Sequence, residues 1–247
     1  ILPEIDTKKS GWTIEIGVGT FDFYCELFDK LGYKTAAVEP LPIEKVRKLC
    51  RYRGIKLVES CVTEADGSVE IYLGTWKGKE NLNLCSTRSD WWGATSTKKV
   101  VSSIKLSTLL EQIKAKSVTC LKIDVEGAEA EIIDQLQELS DHFLPDVLMF
   151  EYGGGNSKQN QKGGWSQEVF EGTLNSLKTL QTLGYNQSII IDSSPETQEK
   201  VFDLYSLETN FDHLFDEQSI YGNIITLRSK KYPESKIHSI CSPYRDN

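Results

Sequence analysis

Three short apolar runs, each separated from the next by one amphipathic stretch of about ten residues, restrict this chain to a sheet built by crossovers. The first run, Trp12-Thr-Ile-Glu-Ile-Gly17, ends at a glycine. Phe21, Tyr24, Leu27, Phe28 and Leu31 then recur at helical spacing up to Gly32, a stop signal. The second run, Lys34 to Glu39, is closed by Pro40, and Pro42 suits the first turn of a helix reaching about Arg51. Gly54 opens the third, Ile55 to Glu59. Strand, helix, strand, helix, strand at these lengths predicts parallel pairing through right-handed crossovers.

The middle of the chain breaks the pattern. Val62 to Leu73 reads as a hairpin around Ala65-Asp66-Gly67, and residues 75–99 as an irregular excursion above the sheet. Val100 to Leu106 is extended, with Ser107 the expected cap of the next helix. The core pattern returns as a strand at 118–123, a helix at 128–139 and a buried strand at 147–151. Glycines and amides make 153–166 an expected mobile loop. A helix over 167–183 and strands at 188–191 and 223–227 follow. The expectation is one domain, with its core over about 12–228 and a tail over 229–247.

Lys and Arg number 28 against 36 Asp and Glu, a net charge of −8. That balance disfavours nucleic acid as a partner, since phosphate recognition leaves a basic footprint. No apolar stretch approaches the roughly 20 residues of a membrane span. The six cysteines are scattered without a C-x-x-C pair, which argues for free thiols in a reducing compartment, the cytoplasm, rather than zinc. The chain starts at Ile1 and its one methionine is Met149, so it is expected to be part of a longer polypeptide.

The first two strands build a candidate cofactor site. Gly17 and Gly19 permit a tight turn and close ligand approach, and Glu39 ends strand two roughly 20 residues on, where a carboxylate accepts ribose hydroxyls. These features fit NAD(P) as well as S-adenosylmethionine. The dinucleotide fingerprint wants a small third residue where this chain has Asp22, an anion in the pyrophosphate position. An acidic rim of Glu15 and Asp22 suits a cationic sulfonium instead.

The chain resembles the FkbM methyltransferases. The likeness is carried by Ile14-Glu-Ile-Gly-Val-Gly19, Ala37-Val-Glu-Pro40, Glu64-Ala-Asp-Gly-Ser-Val69, Leu121-Lys-Ile-Asp-Val-Glu-Gly-Ala-Glu129 and Val147-Leu-Met-Phe-Glu151. Gly19 and Phe21 depart from the family's usual Asn and Gly. The resemblance implies a Rossmann-like α/β fold with a mostly parallel seven-stranded sheet, helices on both faces and an inserted hairpin region. It implies methylation of a hydroxyl on a sugar or glycan acceptor, with S-adenosylmethionine held by Glu15, Gly17, Gly19, Thr20, Glu39, Pro40 and Asp124, and its adenine edge near Ser60 and Cys61. A place beside other glycan-assembly domains is a further expectation.

Asp124, Glu126 and Glu151 fall at carboxyl ends of strands, where reacting atoms sit in an open α/β sheet. Partial desolvation suits Asp124 to act as base, and with Glu151 or Glu126 it could instead ligate a divalent cation. Capping of the helix near Gly127 is the plainer role for Asp124 and Glu126. His142 is expected on the opposite rim, at the surface. For the acceptor, Trp91 and Trp92 offer ring faces, Arg88 and Asp90 offer hydrogen bonds, and Trp165 offers a lid. Two other readings remain open. An NAD(P)-dependent oxidoreductase or epimerase would need a Tyr-x-x-x-Lys pair, which neither Tyr152 nor Tyr185 supplies. A methyltransferase-like binding module without catalysis would keep the glycines and lose the chemistry.

Overall fold

The computed structural model describes residues 1–20, 23–193, 199–206, 211–228 and 230–244. Phe21 and Asp22, and so the argument from an anion at position 22, lie outside the described residues. The strands are β1 Trp12–Ile16, β2 Lys34–Val38, β3 Lys56–Val58, β4 Cys61–Val62, β5 Gly67–Trp76, β6 Lys79–Glu80, β7 Ala94–Ile104, β8 Val118–Ile123, β9 Val147–Gly153, β10 Gln187–Asp192, β11 Lys200–Asp203 and β12 Tyr221–Leu227. The helices are α1 Leu2–Ile5, α2 Phe23–Lys30, α3 Glu44–Arg53, α4 Leu106–Gln112, α5 Glu129–Asp134, α6 Gln167–Thr182 and α7 Glu234–Cys241.

Eight strands form the main sheet in the order β11-β10-β12-β9-β8-β1-β2-β3. From β3 to β9 the pairing is parallel, and β12 runs antiparallel to both β9 and β10. The sheet is therefore mixed and eight-stranded rather than seven-stranded. The missed strand is β11, an edge strand antiparallel to β10 whose four residues, Lys-Val-Phe-Asp, show no alternation of burial. Strands added on one side of β1 lead to β3, and the chain then returns to add β8 and β9 on the other. The order reverses between β1 and β8, which opens a crevice at their carboxyl ends.

Every residue of β8 is buried, as expected of a central parallel strand. Ile14, Ile16, Leu121, Ile123, Leu148 and Phe150 face α4, α5 and α6, which bring Leu109, Ile132, Ile133 and Leu177 to the same core. The opposite face is covered by α1, α2 and α7 through Leu2, Ile5, Phe28 and Ile237. The expected C-terminal tail is thus a correction. Over its described part it forms α7, because Tyr232 and Ile237 find an apolar seat beside Val147 and Leu227.

The inserted region is a second sheet, ordered β4-β7-β5-β6. Val62 and β5 do not form the expected hairpin; β7 lies between them, parallel to β4 and antiparallel to β5. The register hid this because β7 is polar along most of its length and largely exposed. Its buried positions are confined to Val101 and Ser103 at one end, too few to choose a partner for the whole strand. The tight hairpin of the region is β5–β6, and the segment after it, with a single helical turn at Leu82–Leu84, runs across to the crevice of the main sheet.

Candidate active site

The site begins where β1 runs out. Past Ile16 the chain turns at Gly17, whose φ of 83° is open to glycine and costly to other residues. Its N–H donates to the Val38 carbonyl at 2.9 Å, and the Asp124 N–H donates to the Ile16 carbonyl at 2.9 Å. A Cβ at position 17 would collide with the Asp124 carbonyl oxygen. The space left by the missing side chain is filled by the neighbouring strand end, so this glycine draws β1 and β8 together at the crevice. Gly19 then donates its N–H to Glu39 Oε2 at 2.8 Å, and Leu41 donates to Oε1 at 2.8 Å. Glu39 thereby ties the loop after β1 to the loop after β2. Burial raises its carboxyl above the ordinary range, and the two N–H donors pull it back. Each oxygen keeps lone-pair capacity for a further donor.

A cavity of about 300 Å³ opens beside these residues. Glu15, Gly17, Gly19, Glu39 and Pro40 line one side, and Ser60 and Cys61 line the far end of it. Asp124, Glu126 and Glu151 line the other side. Burial and the nearby Glu39 push the Cys61 thiol up to about 12, so it stays protonated at neutral pH and serves as wall. Of the residues expected at the cofactor, Thr20 does not line the cavity. Its N–H and Oγ1 both donate to Asn83 Oδ1, at 2.6 and 2.9 Å. Asn83, Ser86 and Thr87 from the inserted region form a wall of the cavity. They sit in a stretch without periodicity, so no sequence signal marked them.

Charge is concentrated on the face covered by α2. Glu15 and Lys122 are cross-strand partners on β1 and β8, and Asp124 lies one step beyond on the same face. Glu15 accepts the Cys25 N–H at 2.7 Å, and burial pushes its carboxyl up to about 7. Lys122 is 1% exposed; its ammonium lies 2.7 Å from Asp124 Oδ2 and 5.3 Å from the Tyr24 ring centre. Burial opposes its charge, but the surrounding carboxylates, Asp124 first and then Glu15 and Glu151, together outweigh that and hold the ammonium above its ordinary range. Sequence reasoning missed Lys122 because a lysine within an apolar run reads as one exposed position.

The turn after β8 gathers the remaining carboxylates. Glu126 has a φ of 60°, a conformation that costs a non-glycine residue on the order of 1 kcal/mol. Ser86 Oγ bonds its carbonyl at 2.6 Å and Trp91 Nε1 bonds its Oε2 at 2.7 Å, and these fix it. Glu129, also missed, accepts N–H groups from Val125 at 2.8 Å and Gly127 at 3.0 Å, which folds the turn onto the start of α5. Neither Asp124 nor Glu126 caps α5, whose N-cap residue is Ala128 with no side-chain bond; the turn before it is held by Glu129 instead. Burial takes its carboxyl to about 7. Glu126 and Glu151 are driven well above the usual range, first by burial and then by Asp124.

Oxygens of Asp124, Glu129 and Glu151 lie within 4.8 Å of one another, a donor set of the type that takes hard cations. Lys122 already sets a positive charge against Asp124, and both Glu129 oxygens hold the turn. A divalent cation thus fits poorly, and no step below is routed through one.

The aromatic residues are placed differently from expectation. Trp165 is 1% exposed, packed on Tyr152, Phe170 and Phe215, with Nε1 bonded to the Ile220 carbonyl at 2.6 Å. It is a core residue and cannot serve as a lid. Its loop is built of two helical turns, Lys158–Asn160 and Gly163–Trp165, packed onto the rest of the protein. Trp91 is 4% exposed and lies against Gly127 and Gly154, so its ring faces are covered by backbone rather than open to a sugar. Trp92 packs on Gly155 and meets Trp76 edge-on at 5.5 Å. None of the three lines the cavity. Asp90 is exposed and paired with Arg88, which also reaches Glu168. His142 is exposed just before β9, at the end of the sheet away from the crevice.

A family model described as the methyltransferase FkbM domain matches residues 14–187. No curated protein sequence matches the chain. Among solved structures, the 1,6-didemethyltoxoflavin-N1-methyltransferase of Burkholderia thailandensis, with bound 1,6-didemethyltoxoflavin and S-adenosylhomocysteine, is similar at a TM-score of 0.39 and 9% identity. That similarity covers 93% of this chain and 76% of that one, and at such a score it carries no argument. The family match spans well over half of the 247 residues and contains the glycine turn, Glu39 and the carboxylate cluster. The chain belongs to the FkbM methyltransferase family, whose methyl donor is S-adenosylmethionine.

Proposed function

We propose that this chain transfers the methyl group of S-adenosylmethionine to a hydroxyl of a sugar or glycan. One observation carries the reading: carboxylates whose proton affinity is raised by burial, Glu126 and Glu151, line the same cavity as the glycine turn and Glu39. The donor supplies an electrophilic methyl on a positively charged sulfur. Gly17 and Gly19 shape the cradle, and Glu39 holds two loops while offering its remaining lone pairs to a ribose. Glu151 takes the acceptor proton as the oxygen bonds to the methyl carbon and the carbon–sulfur bond breaks. A carboxylate held above its ordinary range is a better base near neutral pH than a free one. Asp124, fixed by Lys122, stands beside Glu151 and raises its proton affinity further. Excess negative charge around the cavity also suits the sulfonium.

Calorimetric titration with S-adenosylmethionine and with NAD tests the cofactor cavity; binding of NAD alone overturns the proposal. Glu39→Ala should weaken the donor about tenfold, the loss of a charged hydrogen bond. Transfer of labelled methyl to a sugar panel tests the reaction. Glu151→Gln should cut turnover by about a hundredfold or more while leaving donor affinity within a few-fold. Full turnover in that variant removes Glu151 as the base. A rise of kcat/KM through a pKa above the ordinary carboxylate range is expected, because the base must lose its proton to act.

A further inference from the structure

A second cavity, of about 250 Å³, opens between α5, α6 and the end of β9. It shares Glu151 with the cofactor cavity, so the two meet at the residue proposed as base. Their adjacency is set by the fold: β9 ends in Tyr152 and Gly153, and the turn before α5 places Gly127 and Glu129 on the same wall. The volume is below the roughly 300–1,000 Å³ of sites for drug-sized ligands, so it suits one small ring with the remainder of the molecule outside. The side chains that bring oxygens within 4.8 Å of the Glu151 carboxylate, Asp124 and Glu129, are themselves acids. A donor from a ligand would complete it.

The walls define what that ligand can be. Glu129, Glu131, Glu151, Glu168 and Glu171 line the cavity, and Arg88 is the one cation among its lining residues. Arg88 is already committed: Nε and Nη2 bond Asp90 at 3.1 and 2.9 Å, and Nη1 bonds Glu168 at 3.0 Å. An acceptor bearing phosphate or carboxylate finds no uncommitted cation among these lining residues and meets the exposed carboxylates of Glu131 and Glu171, while an ammonium meets several acceptor oxygens. We propose that the acceptor sits in this second cavity and carries a cationic amino group near the hydroxyl that is methylated, as an amino sugar does. The inference rests on the cofactor cavity being used as proposed above.

The test separates the two readings. The protein is first saturated with S-adenosylhomocysteine, and binding of glucosamine in its ammonium form, N-acetylglucosamine, glucose and glucuronic acid is then followed by calorimetry and ligand-observed NMR. Glucosamine should bind about tenfold more tightly than its neutral N-acetyl counterpart or glucose, and glucuronic acid should bind weakest. The advantage should shrink at high salt and in the Glu131→Gln/Glu171→Gln double variant, which alters exposed wall carboxylates outside the proposed chemistry. Failure to bind S-adenosylhomocysteine overturns the cofactor reading. Retained binding of it with no preference for the ammonium form, or with a preference for the anionic sugar, overturns the acceptor inference alone. Binding of neutral sugars only when magnesium is added also overturns it, since the acidic wall would then serve a metal.

Discussion

At the scale of single residues, most of the site's character comes from carboxylates kept out of water. Glu15 and Glu129 both reach about 7 in the folded protein against an ordinary value of 4.5. A raised acid contributes its stability in full below its unfolded pKa and loses it as pH climbs through the folded one. Stability should therefore fall between about pH 4.5 and 7, by roughly 3 kcal/mol for each group. Scanning calorimetry from pH 5 to 7.5 checks this, and a melting temperature that rises over that interval would contradict the burial described. Glu129→Gln keeps one oxygen, enough for the Val125 N–H and the longer 3.4 Å Gly127 contact while losing the 3.0 Å one, so a shallower slope should come with a modest loss of stability. Glu39 and the glycine pair were legible in the sequence because a tight turn and a strand-end acid are local patterns. Lys122 and Glu129 were not, because their partners come from burial and from a turn whose shape no spacing announces.

At the scale of elements, strands buried on both faces were the most readable, and the elements decided by partners were the least. β8 falls on its expected residues because a run that is apolar but for Thr119 and Lys122, bounded by polar residues, has one reasonable environment. β7 and the 153–166 loop are polar or glycine-rich, and they are ordered by what they pack against. In that loop glycine permits close approach rather than motion: Gly153 and Gly164 bring backbone against backbone, and Trp165 plugs the interior behind them. Trp165→Ala should accordingly cost about 3–5 kcal/mol, as emptying a buried aromatic site does. For a chain of this size that is a drop in melting temperature of roughly 6–20 °C. A thermal melt unchanged by the substitution would restore the lid expected from sequence.

At the scale of the whole molecule, the two ends of the chain close one face of the sheet together. Lys236 pairs with Glu4 at 2.7 Å, the Lys230 ammonium bonds the Glu4 carbonyl at 3.1 Å, and Tyr232 and Ile237 are buried beside α1. Removing residues 230–247 should expose that cluster and lower stability by several kcal/mol, on the order of 2 for each large buried side chain. Denaturant unfolding of the truncated protein checks it, and an unchanged midpoint would mean that α7 adds nothing. The same large-scale view bears on the wall that Asn83 contributes to the cofactor cavity. It is tied to the main sheet by Thr20 through two hydrogen bonds. Each is worth about 0.5–1.5 kcal/mol net, a small part of the roughly 5–15 kcal/mol that holds a domain folded. Loosening this wall therefore requires no global unfolding, and Asn83→Ala, which removes both bonds, should speed release of bound S-adenosylhomocysteine; an unchanged off-rate in stopped-flow measurement would show that the other contacts hold the wall. On the proposed mechanism, donor exchange would then keep a pace separate from methyl transfer.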